Sequence, residues 1–305
     1  MNISGALKRI PSKLEEYLRA DRILGFCWKI IRLVILLGFC FLIIYPFFIK
    51  VVNGVKSFND FLDPTVRFLP KEPTIEYFKL AFHKMNYLPT LGRTAFLSVL
   101  YAFIQTCISA VIGYGFARFR FRGNKFIFAC VILVLLVPPQ TIMIPLYEQF
   151  RFFMGSINLI DTIYPMLILS FTGLGLRNGL YVFMFRQFFR NTPKELEEAA
   201  YIDGCGTFKT FVIIIMPSAR SVAVAVALFS FSWQWTDLFY NDLFFSDQTV
   251  LASSISTLKN TFLEPIMDSM LQNVGAVLAV APLLLLYLVT QRAFVQSMER
   301  SGIVG

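Results

Sequence analysis

Residues 94–117 read TAFLSVLYAFIQTCISAVIGYGFA, and residues 126–147 read FIFACVILVLLVPPQTIMIPLY. Neither stretch contains a charged residue. A helix needs about 20 apolar residues to cross the roughly 30 Å hydrocarbon core of a bilayer, and a helix buried in a soluble protein seldom stays uncharged for that length. The two stretches therefore predict membrane-spanning helices, and with them an integral membrane protein.

The composition of the whole chain agrees with this prediction, because 56% of its 305 residues are hydrophobic and only 15% are charged. Hydropathy averaged over a window of about 20 residues predicts further spans. They lie at residues 33–52, 162–189, 219–240 and 272–290. The predicted fold is all-α, with six transmembrane helices in a domain of residues 33–290, a basic N-terminal tail 1–32 and a C-terminal tail 291–305.

The orientation follows from the short loops, since Lys and Arg are retained on the cytoplasmic side. Basic residues precede the first span and fill the loops after the second and fourth spans, whereas the loops after the third and fifth hold only Arg151 and Lys259. Both termini are therefore predicted to be cytoplasmic. The outside loop 53–92 also carries basic residues, but its length weakens the rule and four acidic residues offset them.

Several functions are excluded by what the sequence lacks. The net charge of +9 is explained as a topogenic signal, so we expect no nucleic-acid partner. The five cysteines show no CxxC spacing and His83 is the single histidine, so we expect no metal site and no histidine-based catalytic residues. The chain has no GxxxxGK[ST] phosphate loop, so we expect no ATP hydrolysis and no cofactor.

The first span is predicted to remain as an anchor. It begins after some 30 largely polar residues and lacks a small-x-small cleavage site, unlike a cleaved signal peptide.

The loop between the fourth and fifth spans includes residues 192–217, which read TPKELEEAAYIDGCGTFKTFVIIIMP. Thr192 is a suitable N-cap, Pro193 suits the first helical position and Glu195 completes a capping box. Gly204 supplies the left-handed residue that ends such a helix. The segment therefore predicts a short helix, a sharp glycine turn and a second helix.

The predicted helices have one apolar side. Leu196, Ala199 and Ala200 fall together at helical spacing, and Phe208 and Phe211 follow on the second helix. An amphipathic connector lying on the bilayer surface and a segment that docks onto another protein both fit this pattern.

The spacing of particular residues favours docking. Glu198, Ala199 and Ala200 are followed after three residues by Gly204, and after nine more by Ile214, a Met in place of Leu, and Pro217. This spacing resembles the coupling signature of ABC importer permeases. In that family the short helix sits in a cleft of the ATP-hydrolysing subunit. The resemblance assigns ATPase coupling to Glu195, Glu198, Ala199, Ala200, Asp203, Gly204 and Pro217.

The resemblance covers about residues 75–305 and is closest to the carbohydrate-uptake branch, the maltose-type permeases. It rests on GYGFARFRF at 113–121, PPQ at 138–140, IPLY at 144–147, FRQFF at 185–189, WTDLF at 235–239 and QRAFV at 291–295. Residues 299–305 depart from the small-residue, lysine-containing tail of the family, and residues 1–74 rest on hydropathy alone.

The resemblance implies a non-catalytic subunit in a prokaryotic inner membrane. Its implied partners are a dimer of cytoplasmic ABC ATPase subunits, a second homologous permease and an extracytoplasmic solute-binding protein that delivers a mono- or oligosaccharide. An ABC permease for a non-sugar solute and an ion-coupled secondary transporter remain alternatives. The latter needs a carboxylate in mid-membrane and an internal inverted repeat. A scaffold or an integral enzyme is a further alternative, against which the missing catalytic residues count.

Candidate residues for the translocation path come from polar or helix-breaking residues inside spans. Arg177 stands among glycines in the fourth span, where a charge is costly unless it faces a cavity or a carboxylate. Snorkelling, or pairing with Asp237 or Asp242, is the structural alternative. Pro138, Pro139 and Pro145 predict a kink in the third span.

Aromatic residues near the outer end of the fifth span suit a sugar site, although Trp and Tyr also mark ordinary membrane interfaces. The aromatic and polar residues there are Trp233, Trp235, Asp237, Tyr240 and Asn241. Trp235 and Asp237 complete a candidate path with Pro138, Pro139 and Arg177.

Overall fold

The computed structural model describes the backbone of residues 12–246, 250–262 and 264–302. The chain divides into two units, Met1–Pro73 and Thr74–Gly305. Within the described residues the protein is predominantly helical, with no strand and a single isolated bridge between Phe153 and Ile157. The predicted all-α class is therefore confirmed at the level of secondary structure.

The first unit contains one long helix and a short one. α1 (Ser12–Val55) includes the predicted first span and extends well before it. α2 (Phe58–Leu62) follows, and the Lys56 ammonium donates to the carbonyl of Val66 at 2.8 Å. Lys71 contacts Asp63 at 2.7 Å, which holds the pKa of that carboxyl well below its usual range. Two basic residues of the long loop are thus bound locally.

The second unit is built from helices that differ greatly in length. They are α3 (Glu76–Lys84), α4 (Tyr87–Arg118), α5 (Asn124–Leu133), α6 (Met143–Arg151), α7 (Tyr164–Phe171), α8 (Asn178–Asn191), α9 (Glu195–Ile202), α10 (Thr207–Thr210), α11 (Met216–Ser218), α12 (Arg220–Thr236), α13 (Phe239–Phe244), α14 (Leu251–Ser254) and α15 (Pro265–Gly302). Short 3₁₀ turns occupy Val134–Leu136, Pro139–Ile142 and Ile255–Leu258, and a π-helical turn occupies Phe211–Ile215.

Helix α4 is the centre of this unit, because it packs against α7, α8 and α12. The buried amide of Gln105 lies in the middle of α4 and donates to the Ser170 hydroxyl at 3.2 Å. The Ser230 hydroxyl donates to the Gln105 carbonyl oxygen at 2.6 Å. Polar groups in an apolar interior must bond to one another, so this network links α4 to α7 and α12.

The close packing of α4 on α8 yields a stability prediction. A Cβ atom at Gly113 would lie 2.7 Å from the Phe185 Cβ atom, whereas a Cβ atom at Gly115 would meet nothing within 4 Å. Gly113→Ala is expected to lower the stability by about 1–3 kcal/mol through overpacking, and Gly115→Ala is not. Thermal unfolding in detergent measures the difference. Equal melting temperatures for the two variants would contradict the packing described.

Two of the predicted spans are broken. The third was predicted as one span with a kink, and the structure bends it by 98° between Asn124–Leu136 and Pro139–Arg151. The fourth was predicted as one helix over 162–189, but it is divided into α7 and α8. The break lies among the glycines that flank Arg177, where Gly173 has a φ of +75° and Arg177 a φ of +60°.

The helices long and apolar enough to span a membrane, among the residues described, are Leu24–Val55, Tyr87–Arg118 and Pro265–Arg292. Two further pairs of helices pass the same test together but are bent. They are the halves of the third span described above, and Thr207–Ser218 with Arg220–Thr236, bent by 80°; counting each pair as one span gives five spans. The predicted fourth span is not among them, because α7 has 8 residues and α8 has 14.

Candidate functional site

The segment between α8 and α12 forms the predicted helix, glycine turn and second helix. α9 ends in a Schellman motif around Gly204, whose φ is +80°. The amide of Cys205 donates to the Ala200 carbonyl at 2.9 Å, and the amide of Gly204 donates to the Tyr201 carbonyl at 3.0 Å. These bonds satisfy the free carbonyls of the last turn, and the role predicted for Gly204 in ending the helix is confirmed.

The predicted capping box is wrong. Thr192 is extended and stands at the end of α8, where its hydroxyl donates to the Phe188 carbonyl at 3.0 Å. α9 begins at Glu195 without a side-chain cap. Proline disfavours the helical conformation in the residue before it, so Pro193 makes Thr192 extended and ends α8 there.

The second helix is not uniform. α10 passes into the π-helical turn Phe211–Ile215 and then into α11, which includes Pro217. Proline has no N–H to bond to the carbonyl of Ile213, and its ring would clash with that carbonyl in a regular α-helix. A π turn widens the backbone just before this position and relieves the conflict.

The inner side of α9 is fixed by a buried ion pair. The Arg118 Nε atom lies 2.5 Å from the Glu197 carboxylate, and the two side chains are only 6% and 10% exposed. Arg118 also donates to the Thr192 carbonyl at 2.9 Å. Sequence reasoning missed Glu197, although its spacing of three from Ala200 places both on one face of the helix. Arg118 thus attaches the segment to α4.

The apolar side predicted for α9 needs correction. Glu197 and Ala200 are buried, whereas Leu196 and Ala199 are exposed. The reason is that the Arg118 charge at the end of α4 requires a carboxylate, which turns Glu197 inward and Leu196 outward.

The outer side of the segment combines apolar and acidic side chains. Ile202 is 86% exposed and Phe208 is 77% exposed. We define the docking face by seven of the exposed residues: Glu195, Leu196, Glu198, Ala199, Ile202, Asp203 and Phe208. Exposed apolar side chains bordered by polar ones are typical of protein interaction sites. Of the other predicted coupling residues, Pro217 is exposed on α11 and Ala200 faces inward.

The two broken spans meet at a second feature, a cavity of about 190 Å³. Pro139 lines it from the break between α5 and α6, Arg177 and Asn178 line it from the break between α7 and α8, and Tyr240 lines it from α13. The structure therefore brings two of the sequence-predicted path residues, Pro139 and Arg177, to one place, with exposed Pro138 adjacent to Pro139.

Arg177 does not pair with Asp237 or Asp242, the partners considered from the sequence. Its guanidinium lies over the Trp233 ring, 4.6 Å from the centroid. Among the described residues, no carboxylate lies within 4.0 Å of it. Asp237 instead accepts from the amide of Tyr240 at 3.1 Å and from the Asn241 side chain at 3.3 Å, so it caps α13.

The two tryptophans of α12 have different surroundings. Trp235 is buried and donates to the Ala279 carbonyl at 3.0 Å, which links α12 to α15. Trp233 is 41% exposed and carries the contact with Arg177. Sequence reasoning named both tryptophans as candidates for a sugar site and carried only Trp235 into the path, but residues two apart on a helix do not face the same way.

Long apolar helices, two broken spans at a cavity and an exposed helix–turn–helix define a membrane transport protein that works with a partner. The sequence profile described as "binding-protein-dependent transport system inner membrane component" matches residues 106–300, and the chain belongs to this family. It is the permease subunit of an ABC importer, the non-catalytic component in the membrane.

Sequence relatives agree with this assignment, and a solved structure shares the fold. The chain is 26% identical over 261 residues to the melibiose/raffinose/stachyose import permease protein MelC of Bacillus subtilis, covering 85% of this chain and 91% of the relative. It is 25% identical over 248 residues to the arabinooligosaccharides transport system permease protein AraQ of Halalkalibacterium halodurans, covering 79% and 83%.

The solved structure is that of a bacterial ABC transporter involved in the import of the acidic polysaccharide alginate. One of its chains shares the fold, with a TM-score of 0.71 at 19% identity, over 90% of this chain and 98% of the other.

Proposed function

We propose that this permease forms half of the translocation path of an ATP-driven carbohydrate importer, with a mono- or oligosaccharide as the solute. The names of MelC and AraQ support a saccharide. The chain crosses the membrane six times between residues 33 and 290, with each broken span counted as one crossing. The tails 1–32 and 291–305 are cytoplasmic, as the basic loops favour.

The docking face carries the proposed coupling to the ATP-hydrolysing subunits. Its apolar side chains enter a cleft of the ATPase, Glu195, Glu198 and Asp203 make polar contacts at the rim, and Ala199 permits close approach. Ala200 packs inward, Gly204 sets the turn, and Pro217 begins the return to α12. One observation supports this role most strongly: the two sides of α9 differ. One side exposes apolar and acidic side chains, and the other side is bound to Arg118 through Glu197.

The attachment through Arg118 provides a route for movement. Closure of an ATPase dimer displaces α9, the ion pair with Glu197 passes the displacement to α4, and α4 contacts α7, α8 and α12. In the proposed cycle ATP binding opens the path toward an extracytoplasmic binding protein, and hydrolysis returns it inward. A second homologous permease encloses the other half of the path.

The path itself runs past the cavity where the broken spans meet. Pro139, next to Pro138 in the chain, forms one wall and Arg177 another. Trp235 and Asp237 hold α12 and α13 in position behind it. A broken backbone within a membrane is tolerated where it lines a cavity or is covered by protein, which agrees with this placement.

Replacing a cavity proline tests the path. Pro139→Ala is expected to change the uptake rate several-fold, because Pro139 stands at the 98° bend and lines the cavity. The control is Pro145→Ala, since Pro145 is exposed in α6 away from the lining. Uptake of radiolabelled solute measures the effect. Unchanged uptake in Pro139→Ala, with an unchanged cavity, would contradict a path at this bend.

Reconstitution tests the function as a whole. Proteoliposomes holding this chain, the second permease and the ATPase, with the binding protein added, are expected to accumulate a saccharide only when ATP is supplied. An ion-coupled secondary transporter, the rival function, is expected to work without an ATPase. Uptake driven by an ion gradient in vesicles that hold this chain alone would overturn the proposal.

A further inference from the structure

The backbone break that carries Arg177 packs against the middle of α4, so Trp233, which Arg177 contacts, lies deeper than the outer end of the fifth span where the sequence put it. Gly175 is packed against α4, where a Cβ atom at Gly175 would lie 2.6 Å from the Gln105 amide nitrogen. Gln105 stands near the centre of the uncharged stretch 94–117. At 1.5 Å per residue, either end of that stretch is about 16–18 Å away. The break between α7 and α8 is therefore far from both headgroup layers.

An arginine at this depth needs a cavity or an anion, and Arg177 is exposed at the cavity. Its guanidinium stays charged at any physiological pH, and placing it in the hydrocarbon region is costly. The Trp233 ring lies 4.6 Å from it, but a cation–π contact recovers only about 2 kcal/mol when desolvated. No carboxylate of the described residues is within 4.0 Å of Arg177. The guanidinium is therefore available to an anion that another molecule brings into the cavity.

The neighbouring residue gives independent evidence of a missing ligand. Asn178 is only 1% exposed, and neither its Oδ1 nor its Nδ2 atom has a hydrogen-bond partner. Buried side-chain amides are normally bonded, so an unpaired one indicates an absent group. Asn178 lines the same cavity as Arg177, and the 14-residue helix α8 begins there with its positive end.

We propose that Arg177 and Asn178, with Trp233 holding the guanidinium, bind the carboxylated ring of an acidic saccharide, a uronic acid, during its passage. This inference rests on the proposed function and specifies the solute class. The guanidinium offers two parallel N–H donors to a carboxylate, and the Asn178 amide bonds to a ring hydroxyl. The Trp233 ring, which does not line the cavity, holds the guanidinium in place. The mid-membrane position excludes a phospholipid headgroup as the anion.

The size of the cavity fits part of a solute. Complete small-molecule sites enclose roughly 300–1,000 Å³, and this cavity has about 190 Å³. It therefore accommodates one sugar ring, while the rest of the solute extends toward the second permease.

Equilibrium binding to the purified importer without its binding protein tests the inference. The ligands are glucuronate, galacturonate and mannuronate, each compared with its neutral hexose. At least one uronate is expected to bind about tenfold or more tightly than its neutral hexose. Arg177→Gln is expected to abolish that preference. The matched control is Arg151→Gln, because Arg151 also lies over an aromatic ring, at 5.6 Å, but outside this cavity.

The outcomes separate the inference from the proposed function. Neutral hexoses that bind as well as uronates, or an unchanged preference in Arg177→Gln, overturn the inference, whereas ATP-driven uptake of a neutral saccharide leaves the permease function intact. If Arg177→Gln only separates the two permeases, the anion belongs to the second permease and the inference fails. Absence of binding and of uptake for either sugar class overturns both.

Discussion

Arg118→Met is expected to lower the stability of the permease by about 3–5 kcal/mol, because the Glu197 carboxylate is then left buried without a counter-charge. The methionine keeps most of the apolar stem but loses the bonds to Glu197 and to the Thr192 carbonyl. The thermal midpoint in detergent is therefore expected to fall well below that of the wild type. Uptake is expected to fall as well, since α9 loses its attachment to α4.

A second substitution separates the ion pair from general damage. Arg118→Met combined with Glu197→Gln removes both charges, and most of the lost stability is expected to return. Glu198→Gln is the matched control, because the neighbouring Glu198 is exposed and its loss is expected to leave the stability within about 0.5 kcal/mol. If Arg118→Met proved as harmless as Glu198→Gln, the buried attachment would be disproved.

Ile202→Asp is expected to leave the permease folded but to release the ATP-hydrolysing subunits. Ile202 is 86% exposed on the docking face, so the substitution disturbs no core packing. A central apolar anchor of an interface is worth about 2 kcal/mol or more, which corresponds to about 30-fold in affinity. Placing a carboxylate in an apolar cleft adds a desolvation cost. Recovery of the ATPase with the purified permease and ATP-driven uptake are both expected to fall at least tenfold.

Met154 provides a control with almost equal exposure. It is 85% exposed in the connection between α6 and α7, away from the docking face. Met154→Asp is therefore expected to retain the ATPase and the uptake of the wild type. Equal losses in the two variants would indicate a general effect of a surface charge, and full retention of the ATPase in Ile202→Asp would remove the docking face from the interface.

The features predicted correctly from the sequence depend on local chemistry. The length of the uncharged apolar stretches predicts helices α4 and α15. A glycine at the end of a short helical pattern predicts the turn at Gly204. A backbone position with a positive φ favours glycine wherever it occurs, so the turn can be predicted without knowledge of tertiary contacts. The family signature likewise depends on spacing along the chain.

The features missed depend on contacts between distant segments. Glu197 faces inward because Arg118, 79 residues earlier, needs a carboxylate, and the spacing of Glu197 from Ala200 does not reveal that partner. The prolines of the third span predict a kink, but the 98° bend depends on the helices against which each half packs. Trp233 and Trp235 are the same residue type on the same helix, so the sequence does not distinguish them. The position of α15 buries Trp235, and the position of α8 brings Arg177 to Trp233.

Cross-linking from the docking face tests the central claim, that this segment couples the permease to an ATPase. A photoreactive amino acid placed at Ile202 in the assembled importer is expected to cross-link to the ATP-hydrolysing subunit, with a yield that changes when ATP binds. The same residue placed at Met154 is expected to give no such product. Cross-links from Ile202 to lipid alone, with none to the ATPase in any nucleotide state, would contradict the account.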